Sequence, residues 1–446
     1  MRTSRRLLVL LPVLLVAACG SRDDGPVRPS VILVSIDTLR ADHLGTYGYA
    51  RDTSPFLDAF AGESIVFEHA STCAAYTLPA HMTMLTGLFA HEHGVNNGDL
   101  ALSEATPLLA QRLSDAGYRT IGLYYKGLIH ERHGFDRGFD LFQDHRNAEE
   151  ADAHLEAAIG GLDPRKRPFF LFLHLFDVHC GPLTDEPGPI YHCPPPFDRM
   201  FLADAPDRLP DLPERRVWNQ DLIHTPEERE ALVALYDGGV RYVDDKLAKW
   251  VGEWKERGLL DNTLLIITAD HGEGLAQRGW VHGHGAPFIE GLHVPLIVRL
   301  PDGSRAGERV SEDAHLVDIV PTVLAWAGLP GGEALGGRSL LEPLPAERDL
   351  FSMGGSGSET YEALFRDGVK WTHMDFQGHE NFTRCDLRDD PFEERAEEVE
   401  PELVESALAA ALAAQPERGH PPIEAAPREA EDLEFLKRMG YVGDDE

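Results

Sequence analysis

The hydrophobic pattern alternates between continuous apolar runs and amphipathic stretches. Runs of β-branched and large apolar residues predict strands buried on both faces of a sheet. Such strands are expected at 31–36, 120–125, 169–176, 264–268 and 296–300. Apolar residues at helical spacing predict helices between them, at 55–61, 107–116 and 226–257. Strands separated by helices indicate an α/β fold with a doubly wound, largely parallel sheet.

The pattern weakens after about residue 345, and residues 346–446 are predicted to form a small C-terminal α+β subdomain with an acidic tail. A strand is expected at 363–371 and a helix at 401–414. The rest of the tail is typical of a solvated, partly flexible segment. Residues 181–225 hold many prolines and little periodicity, which predicts a long loop near the functional site. The main domain is therefore expected to cover residues 30–345.

The N-terminus has the pattern of an export signal. A basic start precedes an almost uncharged run at residues 7–17, which is short for a membrane span. The run ends in Val16-Ala17-Ala18-Cys19, which is similar to a bacterial lipoprotein cleavage site. We expect removal of residues 1–18, lipidation of Cys19, a tether at 19–29, and anchoring to a bacterial membrane on its periplasmic or cell-surface side. An ordinary cleaved signal that contains a cysteine is the alternative.

The net charge of −34 argues against nucleic acid and anionic lipid as partners. An anionic substrate would therefore depend on local cations. Four cysteines remain besides Cys19, and in an oxidising compartment four are compatible with two disulfides. Cys180 and Cys193 flank a proline-rich loop and are the preferred pair. A structural zinc site that includes the neighbouring His179 and His192 is the alternative.

Polar residues that can carry chemistry follow two of the predicted strands. Asp37 comes directly after the first strand, and Asp270 and His271 follow the strand at 264–268. Open α/β sheets bind ligands at the carboxyl ends of their strands, so these residues are expected at one edge. Thr77 precedes Pro79 and an apolar run, which predicts a helix start just after Thr77. Backbone N–H groups at such a start favour an anion.

Together these residues offer carboxylate, imidazole and hydroxyl ligands for a divalent cation. The predicted metal ligands are Asp37, Thr77, Asp270 and His271. Imidazole favours Zn²⁺ or Mn²⁺, and Ca²⁺ is also compatible. A metal would hold the Thr77 hydroxyl as a nucleophile and screen an anionic ester. Taken singly, Thr77 could be part of a capped core helix and Asp37 could be an N-cap.

Several blocks in one order resemble the sulfatase family of the alkaline phosphatase superfamily. The resemblance spans most of residues 30–445 and implies that superfamily's fold and metal-dependent ester hydrolysis. The blocks that carry it are SIDTLRADHLG at 35–45, YDGGVRYVDD at 236–245, GLLDNT at 258–263, EGLHVPLIV at 290–298, DLRDDPFE at 386–393 and MGYVG at 439–443.

The chain departs from the family at the nucleophile. Sulfatases carry a Cys or Ser that is converted to formylglycine, in a C/S-x-P-S-R pattern. Thr77 stands at that position and His81 replaces the arginine, while Cys73 lies four residues earlier without the proline pattern. Threonine cannot be oxidised to that aldehyde. The superfamily's phosphodiesterases and phosphoethanolamine transferases, which use a metal-bound Thr, are therefore the closer guide.

The resemblance also suggests the remaining catalytic candidates. His284 stands where the family has a lysine, and Lys126 is what remains of a Lys-Trp-His motif. With Asp177 and His179, His284 supplies ligands for a second metal, so one or two ions are expected. Alternatively, His179 and His284 bind substrate oxygens or protonate the leaving group around one metal. Lys126 is retained as a catalytic candidate, and His282 shares the role of His284.

The favoured hypothesis is an exported, lipid-anchored metallohydrolase of phosphate mono- or diesters that acts through a metal-bound Thr77. Its substrate would be an anionic ester of a small molecule, a glycan or a lipid headgroup. Sulfate-ester hydrolysis is the first alternative. A phospho-headgroup transferase is another, although the single short hydrophobic segment argues against it. A lipoprotein that binds glycans or anions without catalysis is the last.

Overall fold

The computed structural model describes residues 28–179, 191–202, 225–278, 285–356 and 359–438. The strands are β1 Ser30–Ile36, β2 Ile65–Phe67, β3 Ala70–Ser71, β4 Leu100–Ala101, β5 Arg119–Tyr125, β6 Leu141–His145, β7 Phe169–Leu175, β8 Thr263–Ala269, β9 Leu296–Arg299, β10 Arg309–Val310, β11 Ala314–His315, β12 Leu350–Ser356, β13 Glu359–Arg366, β14 Val369–Phe376, β15 His379–Asp386, β16 Glu397–Glu398 and β17 Ile423–Glu424. The helices are α1 Pro55–Ala61, α2 Thr77–Thr86, α3 Ala90–His93, α4 Leu109–Asp115, α5 Ala148–Ile159, α6 Pro226–Glu256, α7 Ile289–Leu292, α8 Ile319–Trp326, α9 Pro401–Ala413 and α10 Ala430–Arg438.

The central sheet has the strand order β10-β2-β9-β8-β1-β7-β5-β6. β1 pairs in parallel with β7 on one side and β8 on the other. β9 runs antiparallel to β8 and β2, and the other described pairs of this sheet are parallel. The predicted α/β class with a largely parallel sheet is therefore confirmed.

The position of β1 determines where the functional residues meet. All residues of β1, β7 and β8 are buried, as their continuous apolar runs predict. β7 and β8 flank β1 on opposite sides, and α6 lies in the connection that leads from β7 to β8. The carboxyl ends of these three strands consequently lie together at the sheet's edge, where open α/β sheets bind ligands.

The long helix α6 buries an apolar stripe in the main hydrophobic core. It begins with a capping box between Thr225 and Glu228, and Pro226 occupies its first turn. Trp250 and Trp254 on this helix are fully buried and belong to the main hydrophobic core. None of the helices within the described ranges is both long enough and apolar enough to cross a membrane.

A separate antiparallel sheet, in the order β12-β13-β14-β15-β16, forms the centre of the C-terminal subdomain. The single strand predicted at 363–371 is wrong, because this stretch contains a hairpin between β13 and β14. Asp367 and Gly368 form the turn, with φ angles of 53° and 70°. An Asp-Gly pair favours such two-residue turns, so the dipeptide was the signal that periodicity alone missed.

The acidic tail also has more structure than its composition predicts. β17 pairs with β4, and α10 follows it. Leu433 of α10 packs against the main hydrophobic core. The expectation of a solvated, partly flexible tail did not include these two elements, because contacts with the distant main domain organise a segment of weak intrinsic pattern.

Several predictions fall outside the described residues. They concern the signal and lipidation site, most of the loop at 181–225, His282 and His284, and Cys180 of the preferred disulfide. Cys73, Cys193 and Cys385 are free thiols in the part that is described.

Candidate functional site

The carboxyl ends of β1 and β8 bring Asp37, Asp270 and His271 together. The parallel register pairs Ile36 with Ala269, so the residues that follow them are neighbours. His271 Nε2 lies 3.7 Å from Asp37 Oδ1 and 3.5 Å from Asp270 Oδ2. All three side chains are fully buried. Two carboxylates and one imidazole thus converge on one point in the interior.

Thr77 reaches the same point from α2. Its Oγ1 lies 3.3 Å from His271 Nε2, and the residue is only 4% exposed. Thr77 is the first residue of the helix and Tyr76 is its N-cap, so the expectation that Thr77 precedes the helix is wrong by one residue. Pro79 is tolerated because the N–H groups of a first turn lack intrahelical partners. The structure therefore joins all four predicted metal ligands.

The hydrogen bonds around His271 suit a metal ligand. Its Nδ1 donates to the carbonyl of Gly272 at 2.9 Å, which leaves Nε2 without a proton in the neutral ring and directed at the two carboxylates. Metal-binding histidines are commonly oriented by such a bond. Asp270 Oδ1 accepts from the backbone N–H groups of His271 and Thr38, at 2.8 and 3.3 Å. Asp270 Oδ2 accepts no hydrogen bond from any described residue.

The electrostatics of the cluster also favour a cation. Burial, reinforced by the negative charge of Asp37, raises the pKa of Asp270 to about 7. A divalent ion between the two carboxylates would remove this repulsion. Asp37, Asp270 and His271 have one ligand atom each within 4.8 Å of the others. The residues present therefore fit a divalent cation.

The turn after β1 is held in a strained conformation. Thr38 has a φ of 56°, which is rare for a β-branched residue and is found mainly at functional sites. The Tyr236 hydroxyl donates to the Thr38 carbonyl at 2.7 Å and accepts from the Arg40 N–H at 2.9 Å. Tyr236, on α6, thus fixes the backbone that presents Asp37.

A second set of contacts fixes the turn after β8. The Arg40 guanidinium binds both oxygens of Asp42, at 2.8 and 2.6 Å, and donates to the Glu273 carbonyl at 3.0 Å. This partnership holds the pKa of Asp42 well below its usual range. Gly272 lies so close to the neighbouring chain that an added Cβ would be 2.0 Å from the Glu290 carbonyl oxygen. The two turns are therefore joined rigidly.

Two buried histidines belong to the site as well. Sequence reasoning placed His81 in the nucleophile motif without a catalytic or metal-binding role, and it did not consider His174. His81 Nδ1 donates to the Thr77 carbonyl, and its Nε2 accepts from the Ser35 hydroxyl, both at 2.9 Å. His174 Nε2 lies 3.3 Å from Asp37 Oδ2. Burial lowers the pKa of His81 to about 3 and that of His174 to about 4, so both rings are neutral. His174 interrupts an apolar strand, which was an available signal.

The candidates for a second metal fall only partly within the described residues, because His284 lies outside them. Asp177 Oδ1 accepts from the Ala148 N–H at 3.1 Å and so caps α5, while burial raises the pKa of Asp177 to about 6. The buried His179 ring stacks on Phe176 at 4.1 Å. The potential metal-binding groups in the described ranges contain neither residue. His284 would have to complete such a group from outside these ranges.

Lys126 directly follows β5 at the same edge of the sheet. Its Nζ lies 3.0 Å from Asp432 Oδ1, and His130 Nε2 lies 3.4 Å from Asp432 Oδ2. The catalytic candidate Lys126 is thus paired with a carboxylate from the C-terminal helix α10. Sequence reasoning missed this partner, which is more than 300 residues away along the chain.

A mostly parallel α/β sheet with a buried Asp, His and Thr cluster at its carboxyl edge places the protein in the alkaline phosphatase superfamily. Within that class, the family model described as Sulfatase matches residues 29–329. The chain belongs to the sulfatase family, and the resemblance found in its sequence blocks is confirmed.

Curated relatives are sulfatases from several organisms. The chain is 28% identical to N-sulphoglucosamine sulphohydrolase of Homo sapiens, over 70% of this chain and 66% of the relative. It is 24% identical to Delta 4,5-hexuronate-2-O-sulfatase of Bacteroides thetaiotaomicron, over 85% of this chain and 86% of the relative. It is 27% identical to the extracellular sulfatase SULF-1 homolog of Drosophila melanogaster over 74% of this chain, and spans only 32% of that protein.

Solved structures show the same fold. Phosphonate monoester hydrolase of Agrobacterium radiobacter matches with a TM-score of 0.66 and 21% identity, over 90% of this chain and 100% of that one. BT1596, a 2-O GAG sulfatase, matches with a TM-score of 0.66 and 19% identity, over 86% of this chain and 90% of that one. Sulfatase-family relatives are ester hydrolases, so this chain is assigned to that broad class of enzyme.

Proposed function

We propose that this protein is an exported, metal-dependent hydrolase that cleaves phosphate mono- or diesters with Thr77 as its nucleophile. The observation that carries the proposal is the 3.3 Å contact between Thr77 Oγ1 and His271 Nε2, beside Asp37 and Asp270. A hydroxyl next to a buried set of metal-type ligands is a recognised arrangement for an activated nucleophile.

Asp37, Asp270 and His271 would hold the ion, next to the Thr77 hydroxyl. When bound, a divalent cation supplies positive charge that favours the ionised hydroxyl and screens the anionic ester. The imidazole favours Zn²⁺ or Mn²⁺, and the two carboxylates also suit Ca²⁺.

The reaction then needs two displacements at phosphorus. The Thr77 hydroxyl loses its proton to water, and its oxygen bonds to phosphorus as the ester P–O bond breaks. The leaving oxygen takes a proton from an acid, for which His179 and His284 are the candidates. Water next attacks the phosphothreonine and breaks the Oγ–P bond, which releases the phosphate product and restores the hydroxyl.

Two features of this chain favour phosphorus chemistry over the formylglycine route. Thr77 carries a methyl group on Cβ, so it cannot become the aldehyde that this route requires. His81 stands in place of the family's arginine and is neutral and fully buried, with its Nδ1 bonded to the Thr77 carbonyl. The nucleophile therefore lacks the fixed cation that the family places at this position.

The test compares p-nitrophenyl phosphate, methyl p-nitrophenyl phosphate and p-nitrophenyl sulfate as substrates of the purified protein. Zn²⁺, Mn²⁺ and Ca²⁺ are supplied in turn after chelation. We expect phosphate esters to dominate and Thr77→Ala to lose at least about 10³-fold in kcat with unchanged metal content. Thr77→Ser keeps the hydroxyl and should retain activity. Acid quenching should trap phosphate on Thr77, whereas full turnover by Thr77→Ala would refute the proposal.

Sulfate-ester hydrolysis is the second candidate, because the relatives described above are named as sulfatases. The same substrate panel separates the two candidates. Dominant cleavage of p-nitrophenyl sulfate, without a trapped phosphothreonine, would favour this one.

We also propose that Cys19 carries the lipid that anchors the exported protein to a bacterial membrane. The basic start, the short apolar run and the residues before Cys19 support this proposal. Several acyl chains on one residue would anchor the protein firmly. Labelled palmitate should appear in the wild-type protein and be absent from Cys19→Ser. Equal labelling of both would exclude Cys19 as the lipidation site.

A further inference from the structure

The chain returns to the main domain after α9, through a segment that we call the C-terminal arm, residues 415–438. Arg418 pairs with Glu92 at 2.8 Å, and β17 then adds to β4. Arg428 follows, 3.6 Å from Asp99. The arm ends in α10, whose Asp432 contacts the edge of the sheet that carries the site.

Each of the two carboxylate oxygens of Asp432 lies close to a cationic or titratable side chain. They lie 3.0 Å from Lys126 Nζ and 3.4 Å from His130 Nε2. The Asp432 side chain is 10% exposed, against 32% for Lys126. Water screens such a sheltered pair less than a surface pair, so the carboxylate offsets much of the charge of Lys126.

Short contacts connect this ion pair to the predicted metal ligands. The backbone N–H of Lys126 donates to the His145 carbonyl at 3.4 Å, and His145 Nε2 donates to the His174 carbonyl at 2.9 Å. His174 in turn lies 3.3 Å from Asp37. Lys126 and Asp432 therefore lie on the same edge as the nucleophile, two strands from β1.

We propose that Asp432 is a specificity-determining residue that makes the site select esters with one negative charge over esters with two. The Asp432 carboxylate would repel a second negative charge on the substrate. Lys126 would not compensate that charge, because its ammonium group is already paired with Asp432. The favoured substrates are then phosphate diesters or sulfate monoesters, and phosphate monoesters are disfavoured. The inference rests on the proposed ester hydrolase, but not on its choice between phosphorus and sulfur, because both favoured classes are monoanions.

The experiment measures kcat/KM at pH 8, where a phosphate monoester is a dianion. p-Nitrophenyl phosphate is compared with the monoanions methyl p-nitrophenyl phosphate and p-nitrophenyl sulfate. Asp432→Asn should raise the ratio of dianion to monoanion turnover about tenfold, as expected for loss of a nearby like charge. Asp432→Ser should shift it in the same direction, and Asp432→Glu should keep the wild-type ratio. Glu434→Gln removes one charge from an exposed position of the same helix and should leave the ratio within about twofold.

Two results would overturn the inference. One is an unchanged ratio in both Asp432→Asn and Asp432→Ser. The other is an equal shift in Asp432→Glu, which would indicate a structural role rather than one of charge. Dominant sulfate turnover would refute the phosphate proposal and leave this test intact. If no ester is cleaved, calorimetric binding of inorganic phosphate against dimethyl phosphate gives the same comparison and is expected to show the same shift.

Discussion

His174 Nε2 lies 3.3 Å from Asp37 Oδ2, in a part of the interior where both side chains are at most 1% exposed. The two residues come from adjacent parallel strands, β7 and β1. Because burial lowers the pKa of His174 to about 4, its ring is neutral at physiological pH. The neutral ring does not neutralise the Asp37 carboxylate, so the negative charge of that carboxylate remains available to a cation.

Removal of this ring should weaken metal binding. We expect His174→Ala to lower the affinity for Zn²⁺ or Mn²⁺ about 10- to 100-fold, as is typical when a residue that orients a ligand is lost. Isothermal titration of the metal-free protein measures this without relying on turnover. His379→Ala changes an exposed histidine and serves as the control. Equal affinities for both variants would show that His174 does not position Asp37.

A side chain at position 272 should disrupt the turn after β8. The added Cβ of Gly272→Ala would lie 2.0 Å from the Glu290 carbonyl oxygen, and backbone cannot move away cheaply. We expect a loss of about 3 kcal/mol in the free energy of unfolding, measured by urea denaturation. Gly252→Ala is the matched control because its Cβ meets nothing within 4 Å on α6. There, higher helix propensity should stabilise the protein by up to about 1 kcal/mol. Similar stabilities of the two variants would contradict the close approach.

The buried ion pair between Lys370 and Glu393 should link the C-terminal subdomain to the loop before α7. Lys370 is 1% exposed, and its Nζ lies 2.6 and 2.7 Å from the two Glu393 oxygens. Lys370 also donates to the Pro287 carbonyl, and Glu393 accepts from the Ile289 N–H at 3.0 Å. Lys370→Met leaves the carboxylate buried and unpaired, and should cost about 3 to 5 kcal/mol.

The matched test of this pair is the double variant Lys370→Met, Glu393→Gln. Removing both charges should cost less than the sum of the two single changes, because the buried charge no longer lacks a partner. Urea denaturation of the four proteins in the cycle measures the coupling. Additive costs would mean that the two side chains contribute independently.

Acidification should reduce the stabilising effect of His315. Its ring is fully buried, Nδ1 accepts from the Val317 N–H at 3.0 Å, and Nε2 donates to the Phe351 carbonyl at 3.2 Å. Burial lowers the pKa of His315 from 6.5 to about 4. Between these pH values the unfolded chain binds the proton and the folded chain does not, so stability falls as the pH falls.

The measurement compares wild type with His315→Gln, so that other titrating groups cancel. The variant should be less stable at pH 7.5, because one amide cannot replace both ring contacts. Below pH 6.5 the difference in the free energy of unfolding between the two proteins should shrink by about 1.4 kcal/mol per pH unit. Only the wild type carries this histidine, so only the wild type loses stability through its protonation. If the stability difference between the two proteins is constant from pH 7.5 to pH 5, the pKa of His315 is the same in the folded and the unfolded chain.

The sequence by itself determined the buried central strands, such as β1, β7 and β8, and the residues that follow them. Apolar runs such as 31–36 and 264–268 are long enough only for buried strands, so Asp37 and Asp270 had to lie at strand ends. The order of the family blocks similarly pointed to Thr77. The strand signals are local, because each depends on a few consecutive residues whose pattern suits a single environment.

Only the tertiary structure decided which distant residues meet. The contact of His174 with Asp37 depends on the register between β7 and β1, and that of Asp432 with Lys126 depends on where the C-terminal arm returns. Neither arrangement leaves a periodic pattern in the sequence. The acidic arm in particular is ordered by contacts with the main domain, and such contacts arise from packing over long separations rather than from local propensity.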